Sequence, residues 1–444
     1  MIWRMKLSTE RILTTHVGSL PRPQAVVDML MAKENQAGYD PQAFAAVMSA
    51  AVDEVVGRQV RTGVDIVSDG EMSKISYATY IKDRLCGFGG DQPRQVALDL
   101  QPYPEFRARM ALFAGKQTFK RQCCIGPIAL VERAAVRADI ANLRAARERY
   151  APLEVFMNAA SPGVVAAFQT NEYYPSHEAY VEAIASALRE EYEAIAAAGI
   201  VLQIDCPDLA MARHTGFQHL TEAQFLRRAQ FHVEALNEAL RNIPATQLRM
   251  HVCWGNYEGP HDHDIDVAKV LPILLRAKPS AILFEAANPR HAHEWLAWQE
   301  ASIPEDKVLV PGLLTSTSNY VEHPELIAQR IGVFANIVGR ERVLAGSDCG
   351  FGTFAGIVLQ IDCPDLAMAR HTGFQHLTEA QFLQRAQFHV EALNEALRNI
   401  PARQLRMHVC WGNCEGPHDH DIDLAKVLAA LAEGARRASQ RLWP

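Results

Sequence analysis

Short apolar runs alternate along the chain with longer segments in which apolar residues recur at helical spacing. The short runs, which predict strands, lie at residues 12–17, 64–67, 153–157, 200–205, 249–255, 281–285, 308–311 and 343–347. The longer segments, which predict helices, lie at residues 41–61, 176–198, 221–242, 265–278 and 324–338. Because strands separated by helices are typical of parallel sheets, about eight such units predict an α/β fold of the (β/α)8 TIM-barrel type.

The boundaries of several elements carry the expected signals. Ser176 is suited to cap the helix that follows it, and Gly63 and Gly199 stand where two helices should end. The region 74–122 has no regular pattern and predicts a long excursion or hairpin, to which we assign the extended residues 122–125.

One segment of the chain occurs twice. Residues 199–271 recur at residues 356–428, and the copies differ only at the pairs Arg227/Gln384, Thr246/Arg403, Tyr257/Cys414 and Val267/Leu424. Near-identity over a whole strand-helix-strand block indicates a recent duplication, or an error in the underlying sequence. We therefore predict a barrel over residues 1–356, an appended subdomain at 357–428 that copies 200–271, and the last barrel helix at 429–444.

Composition excludes several classes of function. A net charge of −7 gives no basic footprint, so we expect no nucleic-acid partner. Apolar residues nowhere run uninterrupted for the length of a membrane span, and no apolar segment of signal-peptide type follows the N-terminus. Nine cysteines without the dense spacing of a disulfide scaffold indicate a reducing cytoplasm. The oligomeric state is not indicated.

Chemically reactive side chains fall at the carboxyl ends of the predicted strands, where barrels place their active sites. His251 and Cys253 alternate with Val252 and so point the same way, while Glu285 and Cys349 end two later strands. Two thiols, one imidazole and one carboxylate make a reasonable zinc ligand set. Each residue also fits a plainer role, since a His-x-Cys pair or a lone cysteine can simply be buried and Glu285 can be a surface acid.

Other strand ends are polar as well. Their side chains are those of Ser19, Asp69, Glu71, Asp205 and Asp208. Carboxylates there could anchor a substrate amine or orient metal ligands, and helix caps or loop bonds are equally consistent with each. The run His261-Asp-His-Asp264 suggests either a second metal site or a loop that faces the substrate.

An ordered set of motifs resembles a known family. The motifs are Val17-Gly-Ser-Leu-Pro21, Asp69-Gly-Glu71, Gln203-Ile-Asp205, His251-Val-Cys253, Phe284-Glu-Ala286 and Ser347-Asp-Cys-Gly350. Together they resemble the C-terminal catalytic barrel of cobalamin-independent methionine synthases and the related zinc enzymes that alkylate coenzyme M. The resemblance covers roughly residues 10–356.

That resemblance implies a Zn2+ site for the substrate thiol, formed by His251, Cys253, Glu285 and Cys349. It places Ser19, Glu71 and Asp205 at homocysteine-binding positions and makes Cys349 and Asp205 the expected catalytic residues. Because zinc removes the thiol proton, the bound sulfur would attack a methyl group or a strained ring. The implied partners are a small thiol, homocysteine or a coenzyme M-like compound, and a methyl or alkyl donor.

The chain departs from the family at two points. Family members usually carry Ile-Asp-Glu-Pro, whereas this chain has Ile204-Asp-Cys-Pro207 and so one carboxylate fewer. The family also has a histidine acid in the loop after residues 308–311, where this chain has Thr317 and no histidine before His323. A threonine cannot protonate a folate leaving group as an imidazole can, so the identity of the methyl donor stays open.

Four functional hypotheses follow. The first is methionine synthase-like S-methylation of homocysteine, and the second is alkylation of coenzyme M by an epoxyalkane:coenzyme M transferase-type enzyme. The third is a metal-dependent hydrolase that uses His261 and His263. The fourth is an inactive paralogue disrupted by the duplication. In the second copy His408 and Cys410 repeat two ligands, but no matching glutamate strand and no second Ser-Asp-Cys-Gly follow, so we predict that they bind no zinc.

Overall fold

The computed structural model describes most of the chain and divides it into two compact units, Met1–Ala355 and Gly356–Pro444. The described residues are 5–36, 38–90, 92, 95–113, 122–257, 259–318, 321–352, 359–362, 366–367, 369, 374–396 and 405–408. The predicted last barrel helix at 429–444 lies outside the described residues.

The first unit contains ten described strands, most of them short and buried. They are β1 Leu13–Thr14, β2 Ile66–Ser68, β3 Phe88–Gly89, β4 Cys123–Cys124, β5 Glu154–Ala160, β6 Val201–Asp205, β7 Leu248–His251, β8 Ala281–Phe284, β9 Val308–Pro311 and β10 Leu344–Ala345. Strands β3 and β4 form an antiparallel hairpin, which agrees with the excursion expected in this region.

The other eight of these strands run parallel and form the barrel. Six of them hydrogen-bond in the order β2-β5-β6-β7-β8-β9, and β10 pairs with β1. Parallel bridges join Leu309 to Val343 and Gly312 to Gly346, so β10 continues the sheet beyond β9. Among the described residues, the predicted TIM-barrel fold is confirmed.

Polar side chains help to close the barrel. The Thr15 amide donates to the Ala345 carbonyl at 2.8 Å, and its hydroxyl donates to the Ile66 carbonyl at 3.0 Å, so β1 bridges the two ends of the sheet. The fully buried Arg249 guanidinium reaches across the interior, donating to Gln203 Oε1 at 2.7 Å and to the His16 carbonyl at 2.7 Å. These bonds satisfy polar groups that water cannot reach.

Ten described helices accompany the strands of this unit. They are α1 Gln24–Asn35, α2 Pro41–Arg61, α3 Pro104–Phe113, α4 Ala134–Tyr150, α5 Pro162–Phe168, α6 His177–Ala197, α7 Glu222–Ala239, α8 Val267–Leu274, α9 Trp295–Glu300 and α10 Pro324–Val338. Side-chain caps fix several of their starts, including Ser176 on α6 and the Thr221–Gln224 capping box on α7. Within the described residues, no helix combines the length and apolar character needed to cross a membrane.

Helix prediction was correct where apolar spacing was strong and incomplete elsewhere. Helices α1, α3, α4, α5 and α9 were not predicted from the sequence. In α1 only Val26 and Leu30 are buried, so its apolar stripe is too narrow to stand out. The predicted helix 265–278 is shorter than expected, because α8 spans Val267–Leu274 and already contains Pro272, which removes one backbone donor.

The second unit repeats the local structure of the block that it copies. Its described elements are β11 Leu359–Asp362, α11 Glu379–Ala396 and β12 Leu405–His408. Strands β11 and β12 pair in parallel with Leu359 opposite Leu405, as Leu202 is opposite Leu248 in the first copy. The capping box of α7 recurs at Thr378 and Gln381. Cys410 lies outside the described residues.

Candidate active site at the carboxyl ends of the strands

Three of the four residues predicted to bind zinc converge on one point. His251 ends β7, Cys253 follows it, and Cys349 follows β10, so two parallel strands of the same barrel deliver all three to the same edge. Their ligand atoms all lie within 4.8 Å of one another, and the two sulfur atoms are 3.6 Å apart. All three residues are buried.

The arrangement fits a zinc ion. Zinc–sulfur distances of about 2.3 Å place two thiolates of a tetrahedral site roughly 3.8 Å apart, close to the separation of these sulfur atoms. The His251 Nε2 atom is buried and has no hydrogen-bond partner among the described residues, so it could bind a metal ion once its proton has left. Its other ring nitrogen, Nδ1, lies 3.3 Å from Asp205 Oδ1, the kind of carboxylate contact that orients metal-binding histidines.

The charges of Cys349 and His251 balance each other within the cluster. The Cys253 hydrogen bond lowers the pKa of Cys349 to about 6, against the opposing effect of burial and with help from the nearby His251 ring. Burial disfavours a charged His251, but Asp205 and Cys349 outweigh it and raise the pKa of His251 to about 10. A thiolate and an imidazolium therefore face each other at neutral pH, with a proton in the region where a metal ion would lie.

Glu285, the fourth predicted ligand, stands beside this cluster without belonging to its compact core. Its Oε1 accepts from the Trp254 amide at 2.8 Å, and its Oε2 accepts from Asn288 Nδ2 at 2.8 Å and Arg290 Nη2 at 3.0 Å. The Cys349 hydrogen bond, burial and the charge of Glu285 raise the pKa of Cys253, and the same charge opposes the lowering of the Cys349 pKa. The Trp254 amide uses one lone pair of Oε1, so the other lone pair of this oxygen could bind zinc.

Asp348, which the sequence analysis did not select, holds the segment that carries Glu285. Its Oδ1 accepts from the amides of Ala286 and Ala287 at 2.8 Å, and its Oδ2 accepts from the Asn288 amide at 2.8 Å. Burial and the charge of Glu285 raise the pKa of Asp348 to about 6. The only sequence signal was its place between Ser347 and Cys349, within a motif quoted for its cysteine.

Two of the predicted substrate-binding residues share a partner. Asn158 Nδ2, from the wholly buried strand β5, lies 2.7 Å from Glu71 Oε1 and 3.1 Å from Asp205 Oδ2. Asn158 Oδ1 is buried and has no hydrogen-bond partner among the described residues. Burial, followed by the charge of Asp205, raises the pKa of Glu71 to about 7. The three groups form an acceptor-rich pocket beside His251, which Asn158 completes although sequence reasoning missed it.

The remaining predicted residues occupy different surroundings. Ser19 is buried, and its hydroxyl accepts from the Gly352 amide at 3.4 Å, beside the strand that leads to Cys349. Asp69 accepts from the Glu71 amide at 3.0 Å and so shapes the turn that presents Glu71. Asp208 bonds instead to Ser161 Oγ at 2.6 Å and His232 Nδ1 at 2.8 Å, a structural role away from Glu71 and Asp205.

In the loop after β9, where the similar family has a histidine acid, this chain has hydroxyl side chains. The Ser316 hydroxyl donates to Asn256 Oδ1 at 2.8 Å, and Thr315 and Ser318 are hydrogen-bonded to each other. Thr317 is half-buried between them, whereas His323 caps α10 by accepting from the Glu325 amide. The hydroxyl groups of this loop cannot act as strong acids at neutral pH.

The hydrolase hypothesis required His261 and His263 to share a site, and the structure separates them. His261 is buried and its Nδ1 lies 3.2 Å from Asp264 Oδ1, whereas His263 is exposed.

Comparison with known proteins gives one consistent result. Residues 163–357 match the family described as cobalamin-independent synthase, catalytic domain. A methionine synthase from Thermococcus kodakarensis is 24% identical over 342 residues, which is 76% of this chain and 86% of that protein. A methionine synthase from Saccharolobus solfataricus is 23% identical over 343 residues, 76% of this chain and 87% of that protein.

A similar fold occurs in a solved structure of a B12-independent methionine synthase from Shewanella sp. W3-18-1. The TM-score is 0.55 at 16% identity, and the match covers 77% of this chain and 91% of that one. The family match spans Asp205, His251, Cys253, Glu285 and Cys349. By its fold, its strand-end cluster and these matches, the chain is similar to the cobalamin-independent methionine synthases, and residues 163–357 match their catalytic domain.

Proposed function

We propose that this chain is a zinc-dependent methyltransferase that methylates the sulfur of homocysteine. The observation that carries the proposal is the position of the His251, Cys253 and Cys349 cluster next to the Glu71 and Asp205 carboxylates. A soft metal site prepares a thiol for attack, and an acidic pocket beside it suits the ammonium group of an amino acid. The methionine synthases to which the chain is similar act in the same class of reaction.

His251, Cys253 and Cys349 would hold the zinc ion, with Glu285 as the fourth protein ligand or as the neighbour that the substrate sulfur displaces. When bound, zinc supplies a Lewis acid that keeps the substrate sulfur deprotonated at neutral pH. Asp205 holds His251 Nδ1 and so fixes the direction in which Nε2 points. Asp348 fixes the backbone segment after Glu285, and Arg290 binds the Glu285 carboxylate.

The acidic pocket would orient homocysteine for the transfer. Its ammonium group would lie between Glu71 and Asp205 and would also meet the unpartnered Oδ1 of Asn158. A positive charge there relieves the repulsion that raises the pKa of Glu71, so the carboxylate would ionise as the ligand binds. In the transfer the sulfur–carbon bond forms, the bond from that carbon to the donor breaks, and the thiol proton leaves.

Titration calorimetry of the zinc-loaded protein tests this assignment with three thiols. Homocysteine should bind, 4-mercaptobutyrate, which lacks only the amino group, should bind at least about tenfold more weakly, and coenzyme M, which carries a sulfonate, should not bind measurably. Tighter binding of coenzyme M than of homocysteine would instead support the alkyltransferase. Binding of none of them would refute the proposal and favour the inactive paralogue.

A further inference from the structure

A second cluster of metal-ligating side chains lies apart from the two cysteines. Ligand atoms of Asp99, His214 and His261 all lie within 4.8 Å of one another, and all three residues are buried. They come from three separate segments, the excursion before α3, the loop after β6 and the loop after β7. A backbone bond of 2.9 Å from the Leu98 amide to the His214 carbonyl already joins the first two of these segments.

The orientation of His261 leaves a lone pair directed at a carboxylate. Its Nε2 lies 3.0 Å from the Tyr257 carbonyl, an acceptor, so Nε2 carries the proton. Its Nδ1 then faces Asp264 Oδ1 at 3.2 Å, and His214 Nδ1 approaches the same oxygen at 3.4 Å. Two ring nitrogens therefore approach one carboxylate oxygen, and each such contact needs a proton or a cation between the two atoms.

Other buried atoms around this point lack partners. His214 has no exposed surface, and neither of its ring nitrogens has a hydrogen-bond partner among the described residues. Asp99 Oδ1 is likewise buried and without a partner there, while Tyr257 hydroxyl occupies Oδ2. Because such atoms are rare in folded proteins, their grouping points to a ligand that satisfies them together.

Protonation accounts for part of this arrangement only. An imidazolium at His261 would pair with Asp264, but it would leave His214 and Asp99 Oδ1 without partners. Burial lowers the pKa of His214 and keeps it neutral, the form that binds metals. Burial raises the pKa of Asp264, but the His261 and His291 rings outweigh burial and lower it, so the carboxylate is charged.

We propose that Asp99, His214 and His261 bind a second divalent transition-metal ion of the zinc class, with Asp264, which contacts both rings, drawn in as a fourth ligand. Zinc–nitrogen and zinc–oxygen distances of about 2.0–2.1 Å give a tetrahedron with edges of roughly 3.3 Å, which agrees with the 3.2 and 3.4 Å contacts to Asp264. The bond from His261 Nε2 to a backbone carbonyl is the usual support of a metal-binding imidazole. Since all four ligands are nitrogen or oxygen atoms, this site differs in kind from the thiol site.

The second ion would brace the mouth of the barrel. It would connect the excursion to the loops after β6 and β7. Asp264 also accepts from Arg290 Nη1 at 3.0 Å, and Arg290 Nη2 donates to Glu285 at 3.0 Å. The ion would thus set the position of Arg290, and through it the carboxylate next to the cysteines.

Metal analysis of matched variants tests the proposal. After equilibration with zinc and removal of free metal, the full-length protein should hold about two ions per chain. The double variant Cys253→Ser, Cys349→Ser should keep one ion, surrounded only by nitrogen and oxygen in X-ray absorption. His214→Gln should lose one ion and keep the sulfur-ligated one, whereas His263→Gln, which alters an exposed histidine of the same loop, should keep both. A double cysteine variant without metal would overturn the proposal.

A cobalt titration of the unaltered protein tests the same proposal without relying on variants, which can fail to fold. Binding of one equivalent should give the thiolate-to-cobalt charge-transfer band, and a further equivalent should bind without increasing that band. Saturation at a single equivalent would overturn the proposal. The charge-transfer band reports on the cysteine site, and the further equivalent of metal reports on the histidine site. If the histidine site binds no metal, the proposed thiol methylation is unaffected. If the cysteine site binds no metal, the proposed histidine site is unaffected.

Discussion

His251 Nδ1 lies 3.3 Å from Asp205 Oδ1, and this contact couples the cysteine cluster to the pocket that contains Glu71. The same carboxylate faces Asn158 through Oδ2 at 3.1 Å. A change at Asp205 should therefore alter metal affinity and thiol binding together.

Asp205→Asn should weaken zinc binding roughly 10–100-fold, because the neutral amide orients His251 less well and makes it a poorer donor. Competition with a chromogenic chelator measures the affinity. Asp262→Asn, at an exposed acid on the loop after β7, is the matched control and should change nothing. Equal affinity in both variants would contradict the role given to Asp205.

Cys349→Ser should remove the sulfur-ligated zinc ion, because Cys349 provides the thiolate of the cluster. The matched control is Cys86→Ser, since Cys86 is half-buried and its thiol reaches only the Pro127 carbonyl at 3.5 Å. Metal content and the cobalt charge-transfer band are the measurements. A Cys349→Ser protein that retains this band would exclude Cys349 as a ligand.

Glu71→Gln should flatten the pH dependence of stability. Burial and the charge of Asp205 raise the folded-state pKa of Glu71 from its ordinary value of 4.5 to about 7, so the folded state binds the proton more tightly than the unfolded state. Its contribution is fully present below about pH 4.5 and is lost as pH rises through about 7, a change of up to about 3 kcal/mol. Urea unfolding of both proteins across this window measures it, and identical slopes would contradict the prediction.

Gly18→Ala should disturb the acidic pocket. Gly18 has φ of +138°, and an added Cβ would lie 2.3 Å from Asn158 Nδ2. The control Gly63→Ala has φ of +85° and meets nothing within 4 Å, so it carries the backbone strain without the clash. We expect Gly18→Ala to be less stable than the control by about 1–3 kcal/mol and to bind homocysteine more weakly. Thermal unfolding measures the stability of both variants, and titration calorimetry measures their affinity for homocysteine.

His251→Ala should abolish zinc binding at the cysteine site, whereas His408→Ala, at the same position of the second copy, should not. The first histidine has Cys349 within reach, and the sequence after the second offers no further Ser-Asp-Cys-Gly. Deletion of residues 357–428 should likewise preserve the sulfur-ligated ion. Loss of that ion on deletion would show that the copy takes part in the first site.

The sequence predicted the barrel and the cluster because both depend on short-range regularities. Alternation along β7 places His251 and Cys253 together, and parallel strands bring Cys349 to the same edge. Asn158 escaped notice because one amide in a buried strand has no pattern to mark it. Asp99 and His214 escaped because irregular segments bring them together, and such loops leave no periodic signal.

The second copy keeps the strand pairing of the first, with the same four partners in register. Residues 199–271 therefore encode their own supersecondary structure, in either position along the chain. The barrel thus has two nearly identical candidates for the place between β5 and β8, and covalent connectivity distinguishes them. The first copy ends at residue 271, shortly before β8, while the second follows β10. If the chain were cut after residue 355, we expect the released second copy to compete with the first copy for the place between β5 and β8.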